Sequence, residues 1–358
     1  MELKLCAECG APELITSEHR WLNNGDIVHT RAQTSRILFI ETESLDPLFR
    51  NIAQIIGIDI EHMVITAARR ALRIYLEAFI PRQVRKLVQT REVDFRPIVE
   101  LFFDVARLDG VGGYELVDVR TEGDRQDYAV VRIKEPHSFP LSVSHIIGAT
   151  ECLTGVDQGY QYQQVSPDEI QITVSPSPHP EGMKKRMWTK AYTHGEGDVE
   201  LERCDTCGGP SMLSEYRWQP DRGIINSTTT NRRMAISGND ELDPVFKELE
   251  SELGDAVPRA VVEAQRRFTR SGFFTSEDIT YKGDFRAQLA MRGLGNLKEL
   301  EMKKKGMKMR VENVALPLIV VGLSQGFFEM GFGVDTSVDW ELSEEGDLQV
   351  EVKPLTYA

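Results

Sequence analysis

The chain has 358 residues, a length typical of two or three domains and enough to bury a core without disulfide staples. Asp and Glu number 56 against 42 Lys and Arg, a formal net charge of -14, and so acidic a chain repels a phosphate backbone, which argues against nucleic-acid binding. No stretch approaches the roughly 18 consecutive apolar residues of a membrane-spanning helix, and the N-terminal segment lacks a signal-peptide pattern, so we expect a cytoplasmic protein.

The first feature in chain order is a CxxCG motif formed by Cys6, Cys9 and Gly10, with a proline two residues further on. The same motif, with its proline, recurs at Cys204 and Cys207. These four cysteines are all but one of the five in the chain. In a reducing compartment such pairs bind metal or take part in redox chemistry more often than they form structural disulfides.

Other motifs also occur twice, in the same order, which predicts a tandem duplication. After the two knuckles the matching segments are Leu45–Phe49 and Leu242–Phe246, Arg69–Arg70 and Arg266–Arg267, Gly110–Gly112 and Gly293–Gly295, and Gly148–Asp157 and Gly326–Asp335. We therefore predict a first repeat at 1–175, a linker at 176–198 that is rich in Pro, Gly and charge, and a second repeat at 199–358.

The sequence patterns of the two halves predict the same series of secondary-structure elements. Short alternating stretches indicate a small β-meander after the knuckle. Asp46-Pro47 and Asp243-Pro244 have the form of an N-cap followed by proline at the first helical position, and further helices follow. A strand–strand–helix–strand–strand segment ends each half, centred on apolar helices near 140–154 and 317–331. The predicted class is α+β, with an antiparallel four-stranded sheet covered by helices in each repeat.

The cysteines predict one metal shared by the two halves. A four-thiolate site needs two knuckles, and the chain beyond residue 194 has no histidine and no cysteine besides Cys204 and Cys207. Cys6 and Cys9 are the simplest completion. Zinc is the expected metal, and iron is the alternative because four thiolates bind either. Separate sites completed by His19, His29, His179 or His194 remain open, as does a site formed across a homodimer.

The apolar helices that end each half predict a ligand cavity or an ordinary buried core. Small residues such as Gly148 and Gly326 lie among bulky ones in these helices. The candidate ligand-binding residues are Phe102, Phe103, Cys152, Phe327, Phe328 and Met330. We find no HExxH, GxSxG or P-loop motif and predict no catalytic residue, so the chain reads as a non-enzyme.

The run RVENVALPLIVVGLSQGFFEMGFGVDTSVDWELSEEGDLQVEV resembles the closing segment of the 4-vinyl-reductase-like, or hydrocarbon-binding, domain family. The segment RIKEPHSFPLSVSHIIGATECLTGVDQGYQYQQVSPDEIQITV resembles it more loosely. The resemblance implies a relation to the haem–nitric-oxide-binding and TRAPP-subunit folds and binding of a small hydrophobic molecule, often in a sensor. The family's usual cysteines in the closing hairpin are replaced here by residues such as Tyr162 and Trp340.

These features favour a metal-clamped, two-lobed binding protein for a small hydrophobic ligand, acting as a sensor or accessory subunit. Because no output domain is recognisable in the sequence, we expect such a sensor to act through a protein partner, and a homo-oligomer is compatible with the pattern. The alternatives are a rubredoxin-like iron electron-transfer subunit and a zinc-containing scaffold subunit of an enzyme complex.

Overall fold

The structure, a computed structural model, describes residues 4–179, 191–274 and 285–355. Residues 180–190 of the predicted linker lie outside the described residues. The chain is a mixture of helices and antiparallel sheets, which confirms the predicted α+β class.

The first half contains a knuckle, a three-stranded segment, a helical layer and a ββαββ segment. Its elements are α1 Glu13–Glu18, β1 His19–Trp21, β2 Ile27–His29, β3 Ala32–Glu41, α2 Leu45–Ile56, α3 Glu61–Phe79, α4 Arg82–Gln89, α5 Arg96–Leu108, β4 Gly113–Arg120, β5 Tyr128–Lys134, α6 Phe139–Thr154, β6 Gln158–Ser166 and β7 Glu169–Pro176. Helix α4 is not predicted from the sequence, because RQVRKLVQ is mostly polar and buries only Val88.

The second half has elements in a similar order within its described residues. They are β8 Tyr216–Gln219, β9 Ile224–Ser227, β10 Arg233–Gly238, α7 Asn239–Leu253, α8 Val257–Phe268, α9 Phe285–Met291, β11 Asn296–Lys303, β12 Gly306–Glu312, α10 Pro317–Phe332, β13 Thr336–Leu342 and β14 Leu348–Pro354. A short 3₁₀ turn, Ser211–Glu215, takes the place that α1 has in the first half.

A six-stranded antiparallel sheet joins the two halves. Its order is β1-β2-β3-β10-β9-β8, so each half contributes three strands and the halves meet where β3 pairs with β10. Phe39 lies opposite Ile236 at this junction, and both side chains are buried. The predicted meanders therefore do not stand alone, because each completes its hydrogen bonding on the other half's central strand.

Each half also forms its own four-stranded antiparallel sheet. The orders are β4-β5-β7-β6 and β11-β12-β14-β13, so the inner strands are the same pair in both sheets. Helix α6 covers the first sheet and α10 covers the second. The first sheet's buried side chains, such as Ile133, Ile170 and Ile172, alternate along their strands as expected for a sheet with one covered face.

The helical layer crosses between the halves. Helix α2 of the first half packs against α8 of the second, and α3 of the first half packs against α7 of the second. Residues of α2 such as Leu48 and Ile52 share one hydrophobic cluster with Val261 and Phe328 of the second half. Separation of the halves would therefore expose core side chains from both.

Contacts between the halves occur in matched pairs. The Trp21 indole N–H donates to the Met291 carbonyl at 2.9 Å, and the Trp218 indole N–H donates to the Leu108 carbonyl at 3.2 Å. The guanidinium of Arg36 donates to the Gly293 carbonyl at 3.1 Å, and that of Arg233 donates to the Gly110 carbonyl at 3.1 Å. Trp21 and Arg36 of the first half donate to carbonyls of the second half, and Trp218 and Arg233 of the second half donate to carbonyls of the first.

The predicted N-caps Asp46 and Asp243 are wrong. Helix α2 already begins at Leu45, and α7 begins at Asn239 with Pro244 inside it. The Asp46 carboxylate instead accepts hydrogen bonds from the Ser138 hydroxyl at 2.6 Å and from the backbone N–H of Phe139 at 3.2 Å. It thus stabilises the N-terminus of a different helix, α6, where a negative charge is favoured.

Within the described ranges, none of the helices combines the length and the apolar composition needed to cross a bilayer.

Candidate functional site

Each CxxCG motif folds into a tight loop that presents two thiols to the same side. The backbone N–H of Cys6 donates to the Ala11 carbonyl at 2.8 Å, and that of Cys204 donates to the Gly209 carbonyl at 2.8 Å. Gly10 and Gly208 each have a φ of 72°, in the left-handed region that favours glycine. The two loops therefore have the same local geometry for the same sequence reason.

The structure brings the four cysteines of the two knuckles together. Cys6 Sγ lies 3.6 Å from Cys204 Sγ, and Cys9 Sγ lies 3.6 Å from Cys207 Sγ. All four sulfurs lie within 4.8 Å of one another. Because zinc–thiolate bonds of about 2.3 Å give a tetrahedron with edges of roughly 3.8 Å, this cluster can hold one tetrahedral metal ion.

Hydrogen bonds tune the thiols and tie the loops together. Backbone N–H groups of Cys9 and Glu8 donate to the Cys6 sulfur and lower its pKa to about 7, whereas burial raises the pKa of Cys9 to about 12. The hydroxyl of Thr206 donates to the Glu8 carboxylate at 2.8 Å across the cluster. Such N–H donors stabilise the negative charge of metal-bound thiolates.

The histidines considered as alternative ligands of the knuckles contact other groups. His19 Nδ1 lies 3.0 Å from the Ile15 carbonyl, and His29 lies 3.4 Å from the Glu18 carboxylate. His179 lies 2.8 Å from Glu151, and His194 contacts Asp26. In the part of the chain that the structure describes, none of these histidines belongs to the four-cysteine cluster.

An apolar cavity of about 200 Å³ lies in the first half, between α3, α5 and α6. Phe102 and Phe103, two of the predicted ligand-binding residues, line it together with Leu72, Tyr75 and Ala149. The second half closes one side of this cavity. The residues that it contributes are Ile236, Ser237, Gly238, Asp240 and Glu241.

The other predicted ligand-binding residues lie elsewhere. Cys152 does not line this cavity but belongs to a buried cluster with Leu76 and Val88 that adjoins its wall, and Phe328 is fully buried in the core that the halves share. Phe327 lines a second cavity of about 620 Å³ at the corresponding position of the other half. Met330 is half-buried on α10. The six predicted residues therefore do not form one site.

The cavity of the first half has a polar end that the sequence analysis missed. His145 Nε2 lies 2.6 Å from the Glu241 carboxylate, and the Tyr114 hydroxyl lies 3.2 Å from His145 Nδ1. The carboxyl groups of Asp109 and Asp240 also line the cavity. No sequence pattern connects these residues, because Glu241 and Asp240 come from the second half and His145 and Asp109 from the first.

Burial sets the charges at this polar end. It raises the pKa of Asp109 to about 7 and that of Asp240 to about 6. Although burial alone would also raise the pKa of Glu241, the adjacent His145 and His137 hold it well below its usual range. The cavity therefore combines an apolar lining with one ionised carboxylate and two carboxyl groups that readily take up protons.

Comparison with known proteins gives structural neighbours only. No family model matches the chain, and no curated protein matches it. Among solved structures, a chain described under "Structural insights into the molecular mechanism of H-NOX activation" has a TM-score of 0.26 and 19% identity, covering 39% of this chain and 84% of that chain. An oxygen-binding H-NOX domain related to soluble guanylate cyclases has a TM-score of 0.22 and 19% identity, covering 33% of this chain and 75% of that chain. An H-NOX mutant of T. tengcongensis has a TM-score of 0.23 and 17% identity, covering 33% of this chain and 74% of that chain. TM-scores of this size do not establish a shared fold.

Proposed function

We propose that the chain is a metal-clamped, two-lobed binding protein whose ligand is a small hydrophobic molecule held in the cavity between α3, α5 and α6. The observation that carries this proposal is the composition of the cavity wall, which is mostly apolar on the first half and is closed by Ile236, Gly238 and Glu241 of the second. A ligand there would contact both halves. Its occupancy would therefore bias how the halves dock, which is what a sensor or an accessory subunit acting through a protein partner requires.

The four-cysteine cluster supports a structural role for the metal in this proposal. Four thiolates leave no open coordination position, and closed sites of this type usually hold structural zinc. Each knuckle supplies half of the ligands, so one zinc ion would cross-link the first half to the second. The buried Trp21 and Trp218 belong to the same hydrophobic cluster as the cysteines, which connects the metal to the central sheet.

The proposal includes a tandem duplication and a relation to the 4-vinyl-reductase-like domains. The contacts of Trp21 with Met291 and of Trp218 with Leu108 support the duplication. Trp218 is the counterpart of Trp21 and Leu108 is the counterpart of Met291, so the same contact occurs twice with the halves exchanged. The common strand order of the two four-stranded sheets supports it as well. The match of the closing ββαββ segments to that family is a sequence resemblance.

A rubredoxin-like iron centre is the second candidate function, and the exposure of the knuckle tips favours it. Glu8, Asp205 and Thr206 are exposed, and Cys207 is only half-buried. A metal at this place would lie close to the surface, where electron transfer to a partner is fast. The backbone N–H donors to the Cys6 sulfur suit iron–thiolate chemistry equally well.

Ala149→Phe tests whether the cavity binds ligand. Ala149 lines the cavity, and its counterpart in the alignment of Gly148–Asp157 with Gly326–Asp335 is Phe327, so the larger side chain is one that this fold already carries. We expect the variant to lose at least tenfold in affinity for a neutral hydrophobic fluorophore such as N-phenyl-1-naphthylamine, because the ring fills the site.

Ala78→Phe is the matched control. Ala78 is exposed on α3, one of the helices that border the cavity, and this variant should bind the fluorophore as the unmodified chain does. Circular dichroism establishes that both variants are folded. Equal binding of the fluorophore by folded Ala149→Phe would contradict the proposal that this cavity is the ligand site.

A further inference from the structure

His145 and Glu241 line the polar end of the cavity, and a second histidine, His137, lies beside them. His137 Nε2 lies 3.6 Å and His145 Nε2 lies 2.6 Å from the same oxygen, Glu241 Oε1. The two imidazole rings are nearly parallel, with centroids 5.1 Å apart and an interplanar angle of 25°. One ligand atom from each of the three side chains lies within 4.8 Å of the others.

The hydrogen bond of His137 leaves a lone pair aimed at the carboxylate. His137 Nδ1 lies 3.2 Å from the Val111 carbonyl, which can only accept, so Nδ1 carries the proton. The Ser142 hydroxyl is more distant from this nitrogen, at 3.4 Å. In the neutral ring Nε2 is then an acceptor that faces another acceptor, Glu241. Nε2 is buried and has no hydrogen-bond partner in the part of the chain that the structure describes, and the His137 side chain is 0% exposed.

Each of the three side chains is oriented by a second group. The Val111 carbonyl fixes His137, and the Tyr114 hydroxyl lies 3.2 Å from His145 Nδ1. The other oxygen of Glu241 accepts a hydrogen bond from the Ser237 hydroxyl. Metal-binding histidines usually have such a partner on the ring nitrogen that does not bind the metal, which sets the tautomer and the ring orientation.

The fold itself does not require these polar residues. In the alignments of Gly148–Asp157 with Gly326–Asp335 and of Leu45–Phe49 with Leu242–Phe246, the counterparts of His137, His145 and Glu241 are Ala315, Leu323 and Ser44. The corresponding region is thus built from two apolar residues of the second half and a serine of the first. Burial of two imidazoles and a carboxylate costs stability unless they are paired or bind a metal.

We propose that His137 Nε2, His145 Nε2 and the Glu241 carboxylate bind one divalent transition-metal ion, separate from the four-cysteine centre. A cation there accepts the lone pair of His137 Nε2, the one atom of the three side chains that is buried without a hydrogen-bond partner among the described residues, and it displaces the proton that His145 Nε2 donates to Glu241 at 2.6 Å. Two histidines and one carboxylate suit zinc or ferrous iron and leave coordination positions open. Because His145 and Glu241 line the end of the cavity, with His137 buried behind them, the open positions face a small apolar ligand that carries one donor atom.

The proposal deepens the proposed function, since its ligand class rests on the same cavity, whereas the metal site itself does not depend on hydrophobic ligand binding. Titration of Co²⁺ into the full-length chain, with the four cysteines already loaded with zinc, measures the metal site directly. We expect one further cobalt per chain, with visible absorption but without the intense thiolate-to-cobalt band.

The variants His137→Ala, His145→Leu and Glu241→Ser introduce the residues that the other half carries. Each should weaken cobalt binding at least tenfold, because the loss of even an outer partner of a metal ligand costs that much. His62→Ala, which removes a histidine outside the cluster, is the matched control and should bind cobalt normally. Circular dichroism and retained zinc identify variants that fold.

Absence of the additional cobalt in the unmodified chain would overturn the assignment. His145 and Glu241 would then be a buried ion pair, with His137 as its neighbour. Undiminished binding by folded Glu241→Ser and His137→Ala would overturn it as well. Loss of fluorophore binding in Ala149→Phe with normal cobalt binding would support both proposals. Cobalt binding to a chain that binds no fluorophore would support the metal site and contradict the hydrophobic-ligand function.

Discussion

Asp109 follows the last residue of α5 and directs its carboxyl group toward the cavity rather than into bulk water. Its side chain retains some accessible surface because the cavity borders it, yet burial raises its pKa from 3.8 to about 7. Its counterpart in the second half is Arg292, which forms an ion pair with Glu41 at 2.7 Å. Among the described residues Asp109 has no equivalent ion pair, and this buried acid makes the stability of the protein depend on pH.

Asp109→Asn should remove that dependence. Between about pH 4 and pH 7 the unfolded chain releases the Asp109 proton and the folded chain keeps it, so the free energy of unfolding falls as the pH rises and is level above the folded pKa. We therefore expect the variant to gain stability relative to the unmodified chain as the pH is raised from about 5.5 to about 8. Denaturant unfolding at both pH values measures the difference.

Asp255→Asn, which changes an exposed aspartate, is the control for that comparison and should leave the pH dependence as it is. Since all three proteins carry the same cysteines, pH effects on those thiols cancel in the differences. An unchanged slope in Asp109→Asn would contradict the assigned burial of this carboxyl group.

The residues of the four-cysteine cluster were predictable, and those of the polar cavity end were not. The composition of the chain leaves Cys204 and Cys207 no Cys or His partner in their own half, so Cys6 and Cys9 were the simplest partners, with histidines outside that half and a homodimer as alternatives. His145 and Glu241 have no such constraint. They meet only because α7 of the second half packs beside the first half's cavity, a contact between elements that no local pattern encodes.

At the scale of elements, the turns between the short strands hold the halves in close contact. Gly25, in the turn after β1, lies so near Gly295 that an added Cβ would be 2.3 Å from the Gly295 carbonyl carbon. Gly223 meets Gly112 in the same way, with a distance of 2.2 Å. Both turns are therefore docking points where the backbone of one half touches the backbone of the other.

Gly25→Ala should destabilise the protein more than Gly57→Ala. Both glycines have a left-handed φ, 83° and 78°, so the backbone penalty of about 1–2 kcal/mol is common to the two variants. A Cβ at Gly25 would clash, whereas a Cβ at Gly57 would meet none of the described residues within 4 Å. We expect Gly25→Ala to cost about 1–3 kcal/mol more, as overpacking does, measured by denaturant unfolding. Equal losses would show that this turn does not hold the halves together.

The order of elements was largely predictable, but their pairing across the halves was not. Alternating apolar residues correctly predicted the ββαββ segments, because each forms a sheet from neighbouring strands within one half. The pairing of β3 with β10 joins strands far apart in the chain, and the apolar runs in both match many partners. Asp46 looked like an N-cap for α2 because its role at α6 depends on tertiary packing.

At the scale of the whole molecule, the central sheet, the crossed helices and the four cysteines all join the same two halves. The central sheet and the shared core would hold the halves together to some extent without any metal. A metal at the cysteines adds a cross-link between segments that are distant in the sequence, which stabilises the folded state because the unfolded chain does not form the site. The predicted linker contributes His194, which contacts Asp26 of the first half.

The central claim is that one metal ion is bound by all four cysteines and clamps the two halves. The measurement that tests it most directly is the number of metal ions released per chain when an organomercurial blocks the thiols, followed with a metal-sensitive dye. The His137, His145 and Glu241 site contains no thiol, so a metal there is not released.

We expect one zinc ion per unmodified chain, and none from Cys204→Ser, whose thermal stability should also fall because three thiolates hold the clamp poorly. Cys152→Ala, which changes the cysteine outside the cluster, should still release one. A single coloured iron ion would support the electron-transfer alternative with the same shared site. Release of two ions per chain, or of a full ion from Cys204→Ser, would contradict a site shared between the halves.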